Sequence, residues 1–334
     1  MLPRRIVYAP DITPTDDRFI DLEDRAGPVE WVRLSGLPAT AIERRITRPR
    51  LSRYRAAWQA ARAAGDRSIV ISGLPLMTGA VANALTLARK HPAHLAFAFN
   101  FTTLPNGARR AWLARSFAGV TQFTPFAAYE RDLYARTFGI DPAKIKPVIW
   151  TQEAPAIAPP GPPPRRPYVC AIGGEGRDFG TLLDALARRP RGIDAIIVAR
   201  PHSLTGLTLP DGVQVLSNLP FDRTWRIAVD SLGVLVPLRD EETCCGHLTL
   251  VCAKLLGVPL VTSFSKGTIE YVEDREAVLV TPPNDAVALR QAIERLGDEA
   301  AALQAAAGAA VPAETAFHDR SKWADYLADF LRAH

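Results

Sequence analysis

Val-Pro-Leu-Arg-Asp-Glu-Glu-Thr-Cys-Cys-Gly-His-Leu-Thr-Leu-Val-Cys-Ala-Lys-Leu-Leu-Gly-Val-Pro-Leu-Val-Thr-Ser, residues 236–263, reads as the end of a strand, a polar loop closed by a glycine, a helix over 248–256 and another strand at 259–262. The same alternation extends outward in both directions. Strands are expected at 168–172, 195–198, 213–216 and 233–236 before it, and at 277–280 after it, followed by a helix over 286–296. The first of these strands runs into Gly173-Gly174-Glu175-Gly176 and then a helix from Asp178. Strands alternating with helices imply a parallel sheet covered on both faces. The chain ends in an Ala-rich helical tail with Trp323, Tyr326, Leu327 and Phe330 at helical spacing.

The first half repeats the pattern. Strands are expected at 5–9, 29–34, 68–72, 95–99, 120–124 and 146–149, with helices over 51–64, 77–90, 108–117 and 127–138. Between the halves, residues 155–167 contain seven prolines. Prolines at that density enter neither a helix nor a central strand, so a stiff spacer is expected. The expected organisation is a first domain over 1–154, a linker over 155–167, a second domain over 168–312 and a C-terminal helix over 313–334 packing back on the first domain. Two doubly wound α/β domains facing each other would place a cleft at the carboxyl ends of their strands, where open parallel sheets bind ligands.

The 334 residues are 48% hydrophobic and 22% charged, an ordinary globular mixture with no apolar run near the roughly 18 residues that span a bilayer. No apolar signal core precedes the first strand, and four cysteines without even spacing make no disulfide framework, so a cytoplasmic location is expected. The net charge of +5 is uneven: residues 1–156 carry 22 Lys and Arg against 13 Asp and Glu, and residues 157–334 carry 18 against 22. Much of the excess lies between Arg44 and Arg62, a stretch with seven arginines and no acid. Such a stretch implies an anionic partner. No recognised nucleic-acid module surrounds it.

In order and spacing, three segments of the second half resemble the C-terminal, donor-binding domain of GT-B glycosyltransferases, in particular the retaining group called family four. They are Tyr168 to Leu186, the stretch quoted above, and Ser265 to Asp285. The resemblance implies two Rossmann-like domains facing across a cleft, with the second holding a nucleotide-sugar. It implies that Gly173, Gly174 and Arg177 face the donor diphosphate, that Gly246, His247 and Thr249 present a helix N-terminus to it, and that Glu270 is the helix glutamate of the third segment. A helix start suits a pyrophosphate because its N–H groups and dipole are unpaired there. Taken alone, His247 reads equally well as a capping histidine, and Glu270 as a surface acid.

One departure stands out. The family places two glutamates eight positions apart where this chain has Cys244 and Cys252. Thiols are poor acceptors for ribose hydroxyls. Glu241 and Glu242 lie just upstream and serve only on a different loop path. Three readings follow: a divergent transferase, an inverting enzyme with a first-domain base, or a catalytically silent relative. A zinc site from these cysteines fits no common spacing, and no metal or other cofactor is expected beyond the donor itself.

The first half is read by position. The loop after the first strand offers Asp11, Asp16 and Asp17 as candidate bases. The loop after the fourth offers Asn100, Thr102 and Thr103 to acceptor hydroxyls, and Ser72-Gly73 ends a strand where close approach is possible. Leu51, Tyr54, Trp58 and Ala61 recur at helical spacing beside Arg44, Arg45, Arg48, Arg50, Arg53 and Arg55, which suggests contact with an anionic membrane surface from the cytoplasmic side. The function expected is sugar transfer from a nucleotide-sugar to a glycan or lipid-linked acceptor in bacterial surface polysaccharide or glycolipid synthesis. A nucleotide-sugar epimerase of the same fold and a silent sugar-nucleotide binder are the alternatives.

Overall fold

The computed structural model describes residues 4–11, 22–46, 48–65, 67–273 and 277–334, without the side chains of Glu23 and Asp24. The chain divides into two units, Met1–Ile149 with Arg320–His334, and Trp150–Asp319. In the first, β1 (Arg4–Ala9), α1 (Leu22–Ala26), β2 (Val29–Arg33), α2 (Ala41–Arg45), α3 (Leu51–Ala63), β3 (Ile69–Gly73), α4 (Pro75–Leu87), β4 (Ala93–Phe97), α5 (Gly107–Phe117), β5 (Gln122–Phe123) and α6 (Ala128–Phe138) follow in order. The strands form one parallel sheet in the order β2-β1-β3-β4-β5. Ile6, Val7, Tyr8 and Ala9 are all buried, as a strand covered on both faces requires.

One sequence expectation changes here, and the burial of α3 is decided. Residues 146–149 form no strand. Lys146 N–H donates to Phe123 O at 2.8 Å and Val148 N–H to Pro125 O at 2.9 Å, so the segment runs beside β5, but Pro147 between them has no N–H to continue a ladder. In α3 the buried face is Ser52, Ala56, Ala57, Ala60 and Ala61, while Tyr54 and Trp58 remain 47% and 44% exposed. The alanines pack with Ala80, Val81 and Ala84 of α4, and their small side chains let the two helices approach where aromatic rings would hold them apart.

The second unit contains β6 (Tyr168–Ile172), α7 (Phe179–Ala187), β7 (Asp194–Val198), β8 (Val213–Leu216), α8 (Phe221–Val229), β9 (Val234–Val236), α9 (His247–Leu255), β10 (Leu260–Ser263), α10 (Ile269–Val272), β11 (Val278–Thr281), α11 (Ala286–Asp298) and α12 (Ala300–Phe317). Its parallel sheet has the order β11-β10-β9-β6-β7-β8, so the winding reverses between β6 and β9. Asp178 caps α7, its carboxylate accepting from Thr181 N–H at 3.0 Å, which sets the helix start at Phe179, three residues beyond Gly176. The Pro-rich segment has no regular structure and lies within this unit, with Ala158 N–H on Asp222 O at 3.1 Å. The last helix, α13 (Ser321–Ala333), belongs to the first unit: Trp323 is fully buried with its ring edge-on to Phe97 at 4.6 Å, and Leu327 and Phe330 are buried with it.

Candidate functional site

An open pocket of about 440 Å³ lies where the winding of the second sheet reverses. Loops that leave parallel strands at such a point diverge, one above the sheet and one below, and leave a crevice. Gly173, Gly174 and Arg177 after β6 line it from one side, and Gly246, Leu248 and Thr249 at the start of α9 from the other. Five of the seven donor residues expected from sequence therefore share one cavity.

Arg177 is its centre. The side chain is 9% exposed, and Nη1 donates to Glu175 O while Nη2 donates to Ile172 O at 3.2 Å and Thr249 Oγ1 at 3.1 Å. Cys245 Sγ is 3.8 Å from Nη1, and Nε has no partner. None of these groups is a carboxylate. Burial pulls the guanidinium below its ordinary pKa, against the pull of Cys245. A buried cation without a counter-charge, in a pocket open to solvent, is primed for an anionic ligand. Two glycines make the seat. A Cβ at Gly173 would lie 3.0 Å from Nη2 and one at Gly246 3.2 Å from Nη1, and both residues hold positive φ, +107° and +99°. The N–H groups of the first turn of α9 point away from any partner within the helix, as at every helix start.

His247 stands apart from this cavity. It is buried, and its Nε2–H donates to Gly267 O at 2.7 Å, which fixes the tautomer because a carbonyl only accepts. Desolvation lowers its pKa to about 4, outweighing the Gly267 bond, so the ring is neutral near pH 7. Its contribution is to hold the start of α9 against the 265–268 turn. Glu270 lies in α10 and does not line the cavity. Cys244 and Cys252 are both buried. A Cβ on Gly267 would come within 2.7 Å of Cys244 Sγ, and Gln152 Nε2 donates to Cys252 Sγ, whose pKa burial pushes up to about 12. Glu241 and Glu242 are exposed, with Glu241 paired to Lys266 at 3.9 Å, and neither lines the pocket. Among the described residues, no group of three His, Cys, Asp or Glu is placed to hold a metal ion.

Among the lining residues that escaped the sequence reading, three carry a charge or an amide: Glu175, Arg200 and Asn218. Glu175 was quoted without a role. Arg200 and Asn218 follow β7 and β8, and Arg200 is ion-paired to Glu175 at 3.3 Å. Their signal was position alone: each follows the carboxyl end of a parallel strand.

The back of α9 is clamped. Lys254 Nζ lies 2.7 Å from Glu314 Oε2 of α12 and donates to Tyr271 O at 2.8 Å, with both charged side chains buried. His318 Nδ1–H donates to Trp150 O at 2.7 Å.

In the first unit, Asp11 is 4% exposed and holds the basic segment. Arg53 grips both its oxygens, Nε to Oδ1 at 3.0 Å and Nη2 to Oδ2 at 2.7 Å, and Arg50 Nη2 donates to its carbonyl at 3.0 Å. A carboxylate with both oxygens engaged by a guanidinium is a counter-ion, and a proton offered to it must displace that pair. Asp16 and Asp17 lie outside the described residues. Arg55 pairs with Glu43, the residue just before the run, at 2.8 Å, so the run is answered by Asp11 and by the acid at its own edge. Asn100 Nδ2 is committed to Glu130 Oε1 at 2.8 Å, with Thr102 and Thr103 beside it in the loop after β4. Pro10 packs over Gly73, its Cα 3.3 Å from where a Cβ would lie.

The two strand orders, each parallel and in this succession, are those of a GT-B fold built from two Rossmann-like units. The sequence matches no family model and no curated protein. Among solved structures the chain is similar, over 99% of its length, to all of HepE of Anabaena in complex with UDP-glucose, with a TM-score of 0.73 and 13% identity. It is similar over the same share to 98% of the sucrose-phosphate synthase of Thermosynechococcus elongatus, at a TM-score of 0.73 and 14% identity. A UDP-forming α,α-trehalose-phosphate synthase of Burkholderia xenovorans is similar over 99% of both chains, at 0.71 and 14%. At these identities the likeness is one of fold.

Proposed function

We propose that this protein is a metal-independent glycosyltransferase that takes a sugar from a nucleotide-sugar and passes it to a glycan or lipid-linked acceptor, in the synthesis of a bacterial surface polysaccharide or glycolipid. The observation that carries the reading is Arg177: a buried guanidinium without a carboxylate, seated between two glycines and facing the start of α9. Diphosphate is the anion that such a loop and helix start accommodate together. The UDP-glucose bound to the similarly folded HepE makes uridine nucleotides the first to test. The same reading places the protein in the cytoplasm, attached to anionic lipid through the exposed Arg44, Arg45 and Arg48.

The test is calorimetric titration with UDP and UDP-sugars. Arg177→Met should weaken UDP binding by about 1.5–3 kcal/mol, roughly ten- to a hundredfold, through the lost charge-assisted bonds. Equal affinity in wild type and variant overturns the site. The buried thiols at positions 244 and 252 favour one second reading, a sugar-nucleotide binder without transfer. Tight UDP-sugar binding without transfer to any acceptor, and without hydrolysis, identifies that case.

A further inference from the structure

The first unit carries a second cavity, and we propose that it binds the phosphate of a phosphorylated acceptor. The proposal rests on the transferase reading for the word acceptor, but the cavity stands on its own residues. It has a volume of about 590 Å³ and is lined by Arg48, Arg50, Arg53 and Arg109 with the rings of Tyr54 and Trp112. Asp11, just past the end of β1, anchors Arg50 and Arg53, and Leu76, just past β3, forms part of the wall. The winding of this sheet reverses between β1 and β3, so the cavity occupies the crevice where such sheets take ligands.

Its charge is unbalanced. Asp11 answers Arg53 at 2.7 Å and Arg50 at 3.6 Å, and no acid pairs with Arg48 or Arg109 among the described residues. The helices that start at its wall add to the field. α3, α4 and α5 each lack an acid in the first turn and a side-chain cap, while Arg53 and Arg109 occupy the first turns of α3 and α5. A cation there is opposed by the helix dipole, and a bound anion removes the conflict. Guanidinium forks match phosphate oxygens in pairs. Tyr54 and Trp112, 47% and 41% exposed, offer apolar faces to the body that carries the phosphate. The volume is enough for a phosphate with a sugar ring or a lipid headgroup.

Two probes separate the sources of that chemistry: glucose 6-phosphate, with glucose as control, and phosphatidylcholine vesicles containing phosphatidic acid, with vesicles of equal charge containing phosphatidylserine as control, so that only binding beyond general anionic attachment counts. The variants are Arg48→Met/Arg109→Met, both exposed, and a control pair on α6, Arg131→Met/Arg136→Met. UDP is titrated in parallel. Wild type and the α6 pair should bind at least one phosphate probe, and the cavity pair should bind it about tenfold or more weakly. UDP affinity should be the same in all three. Binding of the soluble probe alone identifies a sugar phosphate, and of the vesicles alone a lipid phosphate. The proposal is overturned if neither probe binds, if glucose binds as well as its phosphate, or if the two paired variants behave alike. Failure with UDP binding intact sinks only this proposal. Phosphate binding without UDP binding sinks only the donor reading.

Discussion

Replacing Lys254 by methionine leaves the side-chain volume nearly unchanged and removes the ammonium that faces Glu314 at 2.7 Å, where the two side chains are 4% and 3% exposed. Breaking a buried pair from one side costs about 3–5 kcal/mol, because the remaining charge keeps its desolvation penalty and loses its partner. The second unit spans Trp150–Asp319, so each kcal/mol should lower its melting point by about 2–4 °C, and Lys254→Met by roughly 6–20 °C. Glu314→Leu should cost a similar amount. The double variant Lys254→Met/Glu314→Leu should recover most of the loss, since neither desolvation penalty is then incurred. The assay is urea and thermal unfolding of the four proteins in a double-mutant cycle. Additive effects of the two single changes would falsify the coupling, and so would a Lys254→Met loss below about 1 kcal/mol.

Gly246→Ala should weaken UDP binding and lower stability by about 1–2 kcal/mol, because the residue sits at φ +99° and the new methyl presses on Arg177; calorimetry and urea unfolding read the two effects. His247 has a folded pKa near 4 against 6.5 unfolded, so it contributes no pH dependence above about 6.5 and should cost the fold up to about 3 kcal/mol as pH falls to 4. His247→Gln should flatten that part of the stability–pH curve relative to wild type, and an unchanged slope refutes the assignment. Arg44→Glu/Arg45→Glu should release the protein from anionic vesicles in sedimentation while UDP affinity holds, and wild-type attachment should weaken as salt rises toward 0.15 M, where screening acts within about 8 Å.

The sequence alone determined the parallel α/β character of both halves, the glycine-rich turn after β6, a helix beginning at about Asp178 and the glycine before α9. Each is local: apolar runs, turn chemistry and capping act within a few residues, and order in the chain carries them. The two-unit fold was legible for the same reason, through alternation and the resemblance of the three segments. What the tertiary structure decided is which distant groups meet. Arg50 and Arg53 of the arginine run are held by Asp11, 42 residues from Arg53, so a base candidate became the counter-ion of part of the basic segment. α3 turned its alanines inward and its aromatics outward because α4 left room only for small side chains. Arg200 and Asn218 reached the pocket through the loops of β7 and β8, while His247, chosen as a ligand contact, turned into the fold toward Gly267. Partner choice and burial depend on contacts between residues far apart in sequence, which no local periodicity encodes.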